Sequence, residues 1–86
     1  MPEICRFYGI VIKMFYDDHR PPHFHAEYGE YQALIQIEDF ALIKGILPPK
    51  AIGLVVEWSS IHKEELLQEW NLAHQDKPLF KIQPLS

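Results

Sequence analysis

Between Asp17 and Tyr28 the chain reads DDHRPPHFHAEY, and three of its five histidines, His19, His23 and His25, fall within seven residues there. Asp18, Glu27 and Arg20 lie among them, around the Pro21-Pro22 pair. Neutral imidazole is the commonest nitrogen ligand for zinc and related ions. Two imidazoles separated by one residue of a strand have Cβ atoms roughly 6–7 Å apart on one face, a span that one metal ion or one phosphate bridges. The metal reading therefore takes His23, His25 and His19 as ligands, with Asp18, Glu27 or His62 able to complete the set and a divalent ion such as zinc as the cofactor. A second chemistry needs no metal. A histidine beside Glu27 or Asp18 moves protons during cleavage of a phosphodiester, and Arg20 holds the phosphate and stabilises developing charge. On that reading the catalytic set is His23, His25, Glu27 and Arg20. The plain alternative is that these are half-exposed strand histidines that only make hydrogen bonds.

The elements that must position these groups follow from local geometry. Proline fixes its own φ and pushes the preceding residue toward extended conformations, so Arg20-Pro21-Pro22 is a stiff, extended entry. The next segment reads as a strand. Alternation puts His23, His25 and Glu27 on one side and Phe24, Ala26 and Tyr28 on the other. If the apolar side faces the helix, His62 joins the other histidines only across an interface.

The rest of the chain reads as α+β: an antiparallel meander of three to four strands over residues 4–45, one long C-terminal helix over about 49–74 packed on one face, and a tail over 75–86. Residues 4–16, ICRFYGIVIKMFY, are rich in β-branched and aromatic types and predict one first strand, apolar on both sides. One helix covers one face, so a homodimer or another partner is expected on the second. Tyr28-Gly29-Glu30-Tyr31 predicts a hairpin turn into YQALIQI, and FALIKGIL a further strand. Pro48-Pro49 opens the helix. Its apolar stripe is Ala51, Leu54, Val55, Trp58, His62, Leu66, Trp70 and Ala73, which makes Trp58 and Trp70 core or interface anchors. Ser59, Ser60 and Asn71 fall off the stripe, and Lys63, Glu64, Glu65 and Glu69 read as a solvated face. Gly53, costly inside a helix, suggests close approach to the sheet. Pro84 makes the tail LFKIQPLS a short edge strand at best, or a mobile end.

Composition removes several classes. Eighty-six residues fit one small domain. Cys5 is alone, which excludes an intrachain disulfide and a cysteine-based zinc knuckle, and in an apolar strand it reads as an inert thiol. The charged start MPEICRF does not resemble a signal peptide, and no apolar run approaches the ~20 residues of a membrane span, so a cytoplasmic protein without membrane contact is expected. A net charge of −4 without a basic stripe disfavours nonspecific nucleic-acid binding, leaving RNA as a substrate only through a local site. The helix lacks HExxH, and the chain lacks a phosphate-cradling glycine loop and a serine-nucleophile motif.

The segments FYGIVIKMFYDDHRPPHFHAEYGEYQALI, GILPPKAIGLVVEW and HKEELLQEW resemble a small bacterial family catalogued as domain of unknown function 4160. The resemblance spans roughly residues 1–75. It implies a compact cytoplasmic protein encoded beside a second small protein, similar to a toxin–antitoxin pair, and hence an interaction protein of a two-gene module. No catalytic residues come with it: Asp18, His19, Pro21, Pro22, His23, Phe24, His25 and Ala26 match as a signature.

Overall fold

A computed structural model of the chain describes residues 3–16 and 18–86, so Asp17 lies outside the described residues. Five strands, β1 (Glu3–Phe7), β2 (Ile10–Lys13), β3 (His23–Tyr28), β4 (Tyr31–Gln36) and β5 (Leu42–Gly45), precede two helices, α1 (Pro49–Ile61) and α2 (Lys63–His74). The strands form one antiparallel sheet in the order β1-β2-β3-β4-β5. The α+β class and the antiparallel meander are as expected; the meander has five strands, not three to four, and two helices stand in place of the single long one.

The extra strand comes from a turn inside the predicted first one. Tyr8 and Gly9 have φ of 49° and 80°, the left-handed pair that a two-residue hairpin loop needs to match strand twist. Such a loop sets Phe7 opposite Ile10 and Cys5 opposite Ile12. Cross-strand partners share a face, so odd-numbered β1 residues point the same way as even-numbered β2 residues, and all four of these side chains are buried. The two-sided apolar character came from counting alternation through a turn. The homodimer inferred from it loses that support.

Phe24 and Ala26 of β3, with Ala33 and Ile35 of β4, complete the sheet's core face. Trp58 of α1 lies against it, its ring 5.4 Å from Phe7 and 6.1 Å from Phe24. The helix then bends at His62, with φ −113° and ψ 24°. Just before the bend the Ser59 hydroxyl donates to Val55 O at 2.7 Å and the Ser60 hydroxyl to Glu57 O at 2.8 Å. Hydroxyls that capture carbonyls of the preceding turn compete with the backbone ladder and bend helices.

Three smaller expectations change. Gly53 is exposed, and a Cβ there would meet nothing within 4 Å, so it approaches no sheet. The tail forms no strand, yet it is strapped down: Ile82 N–H donates to Ile4 O at 2.8 Å and the Trp58 indole N–H to Gln83 O at 2.9 Å. Ser59 and Glu69 belong to the core, both fully buried. Glu69 Oε1 accepts the Phe80 N–H at 3.0 Å, while Oε2 is buried with no hydrogen-bond partner among the described residues. No helix among the described residues is long and apolar enough to cross a membrane.

Candidate metal centre

β3 is the middle strand, and its first residues sit where the loop from β2 returns. Because Phe24 and Ala26 are taken into the core, His23 and His25 project from the other side, their rings 5.4 Å apart. The loop contains a cis Arg20-Pro21 bond and brings Asp18 back over the strand's start. Asp18 Oδ2 lies 2.9 Å from His23 Nε2 and 3.0 Å from His25 Nε2. Among the described residues these three form the group whose ligand atoms all lie within 4.8 Å of one another.

Hydrogen-bond chemistry restricts what this contact can be. His23 Nδ1 is 2.8 Å from Pro21 O, and a carbonyl only accepts, so Nδ1 carries the hydrogen. A neutral His23 then turns the Nε2 lone pair toward a carboxylate oxygen, which repels it. The contact is attractive if Nε2 carries a second hydrogen, or if a cation stands between the two. An Nδ1–H fixed on a backbone carbonyl is the arrangement that readies Nε2 to bind metal. The 2.9 and 3.0 Å separations match ligands at right angles and are shorter than a tetrahedral ion sets. Metal–ligand bonds of about 2.05 Å put neighbouring ligands about 2.9 Å apart at right angles and about 3.4 Å apart in a tetrahedron. At Asp18 burial disfavours the charged form, but the His25 hydrogen bond, the positive character of His23 and the His19 N–H together hold the carboxyl below its ordinary range. The carboxylate is thus ionised, and each Nε2 serves as a metal donor once it carries no hydrogen.

Burial is uneven. The His23 side chain is 5% exposed, whereas His25 and Asp18 are 23% and 25% exposed, so the group is closed on one side and open on the other. Phe15 packs edge-on to His25 with 4.1 Å between ring centres, and Trp70 lies 5.2 Å from His23. His74 rests on Trp70 at 4.2 Å, and its Nε2 is 2.7 Å from Asp18 O. Sequence reasoning missed Phe15 and His74 as neighbours of the site and took Trp70 only as an anchor. The one sequence signal for His74 was its i,i+4 spacing from Trp70 on a helix.

The other expected site residues lie apart from this group. Glu27 shares the outward side of β3, but its Oε2 pairs with Lys13 Nζ at 3.0 Å. His19 is exposed and gives only its backbone N–H, to Asp18 Oδ1 at 3.2 Å, so Asp18 stands where His19 was expected among the ligands. Arg20 is exposed in the loop. His62, at the helix bend, has Nδ1 2.6 Å from Glu65 Oε1 and its ring 5.5 Å from Trp58. Trp58 is a core side chain, and Cys5 is buried, which pushes its thiol pKa up.

The family model described as Domain of unknown function (DUF4160) matches residues 9–71, which include every residue of the group, and the chain belongs to that family. No curated protein and no solved structure matches the chain.

Proposed function

We propose that this chain is a small metal-dependent hydrolase whose centre is Asp18, His23 and His25, with zinc as the first candidate ion and a phosphodiester such as RNA as the substrate. The convergence of both Nε2 atoms on Asp18 Oδ2, with His23 Nδ1–H committed to Pro21 O, carries this reading. Three protein ligands with an open side are the pattern of catalytic rather than structural zinc sites. A divalent ion there would act as a Lewis acid toward a phosphoryl oxygen and acidify a coordinated water. Arg20, two residues beyond Asp18 and exposed, is in sequence reach to meet an anionic substrate. Glu27, tied to Lys13, is assigned no proton transfer.

The test is a titration of untagged protein with Zn²⁺ and Co²⁺, read by calorimetry and by the visible spectrum of Co²⁺. The expected result is one equivalent bound per chain, none after His23→Ala with His25→Ala, and RNA cleavage that follows the metal. A well-folded protein that takes up neither ion overturns the proposal.

A second reading has its own support. β5 is an edge strand whose Leu42 and Ile43 are exposed, and Ile46 just beyond is 64% exposed. Such an edge suits the interaction protein of a two-gene module, engaging a second small protein by strand addition. Co-expression with the neighbouring gene product should give a complex that Ile46→Lys weakens; loss of binding in His25→Ala instead would move the interface to the histidines.

A further inference from the structure

We propose that His74 is a positioning residue for this centre, holding the Asp18 main chain so that its carboxylate stays aimed at the two imidazoles. The proposal rests on the metal reading above. Asp18 lies in a loop outside the sheet's ladder, and a ligand on such a segment is placed only as well as its backbone is held. Its carbonyl oxygen lies 2.7 Å from His74 Nε2, across 56 positions of sequence. The other nitrogen, Nδ1, is 2.9 Å from Trp70 O in the preceding turn of α2. Both acceptors are carbonyls, so a neutral ring donates to one of them and only an imidazolium to both; with the hydrogen on Nε2 the ring donates to Asp18 O and is a strut between helix and loop.

The strut is braced on both sides. Its ring lies on Trp70, and Trp70 lies against His23, so one column of rings runs from His74 to the buried member of the group. Just past α2, Lys77 O accepts the Tyr16 hydroxyl at 3.2 Å, which fastens the other side of the loop to the same end of the helix. The last two turns of α2 thus touch the centre without supplying a ligand: Trp70 shields His23, and His74 fixes Asp18. Groups that hold metal ligands in this way typically change affinity by about 10–100-fold when removed.

Two variants separate the hydrogen bond from the packing. His74→Leu keeps a side chain on Trp70 but cannot donate; His74→Gln restores an N–H donor toward Asp18 O. Calorimetry with Zn²⁺ should show affinity about 10–100-fold weaker in the first and within about threefold of the parent in the second, with both melting near the parent temperature. Gln68→Ala, at an exposed position of α2, should bind as the parent does. Unchanged affinity in His74→Leu overturns the proposal, as does equal loss in both variants when both remain folded. If the parent itself takes up no metal, the hydrolase reading fails, and the strut is judged on the ring NMR signals of His23 and His25 in metal-free protein. Signals that move in His74→Leu and return in His74→Gln uphold it; signals that stay put in both overturn it.

Discussion

Glu69 puts an ionisable carboxyl where charge is costly, and replacing it with glutamine should stabilise the protein above neutrality and do little in mild acid. Burial, first, and the like charge of Glu65 raise its pKa from 4.5 to about 7, against the opposing pull of the Phe80 N–H. The folded state therefore holds this proton more tightly than the unfolded chain. The associated stability is fully present below about pH 4.5 and is lost as pH rises through about 7. Raising the pKa from 4.5 to about 7 corresponds to about 3.4 kcal/mol, of which about 2.5 kcal/mol disappears between pH 5 and pH 8. In Glu69→Gln the amide oxygen still accepts the Phe80 N–H, and the amide nitrogen takes the place of Oε2 as the protonated acid's hydroxyl does. The two proteins should then have similar unfolding free energies at pH 5, and the variant should lead by about 2.5 kcal/mol at pH 8. Urea unfolding of both across that range is the assay, and taking the difference cancels titrations they share. An equal gap at both pH values would refute the reasoning, because the penalty would then not be one of ionisation.

Two glycines should respond in opposite directions. Gly53→Ala, exposed in α1 with open space around its Cβ, should raise stability by about 0.5–1 kcal/mol in thermal unfolding. Gly45→Ala should lower it by more than about 1 kcal/mol, since its φ is +85° and a Cβ would collide with the Gln32 carbonyl. Trp58→Phe should cost about 2 kcal/mol, combining a lost hydrogen bond with a partly filled core. It should also speed amide exchange at Ile82, because the indole N–H to Gln83 O is one of the straps on the tail.

The parts of the site written in one segment were legible. Period-two alternation placed His23 and His25 together and Phe24 and Ala26 behind them, because a strand leaves no other choice. The ligand from the loop was harder. Asp18 and His19 are adjacent and both plausible, and only the path of the chain through Pro21-Pro22 decides that the carboxylate, not the imidazole, reaches the strand. The hairpin at Tyr8-Gly9 was hidden because tyrosine is an unusual occupant of the left-handed region, and Gly9 alone does not announce a turn inside a β-rich run. Ser59 and Glu69 were misplaced for another reason. Val55, Ser59 and His62, and then Leu66, Glu69 and Ala73, keep helical spacing, yet polar side chains default to the surface. Spacing won over residue type at both positions, since Ser59 satisfies its hydroxyl on Val55 O and Glu69 engages the tail.

The bend at His62 agrees with the size of the domain. A straight helix from 49 to 74 would be about 39 Å long at 1.5 Å per residue. The whole domain is 33 Å in its longest dimension, so such a helix would leave its last turns beyond any core. Leu66, Trp70 and Ala73 are apolar at a spacing that demands burial, and with the helix broken at His62 all three are buried. Past the break, Trp70 lies against His23 and His74 reaches the Asp18 carbonyl. One break in a helix therefore accounts for both the economy of the core and the outer wall of the site. The histidine at the break, His62, lies outside the group, and the histidine that reaches the Asp18 main chain is His74, twelve residues on.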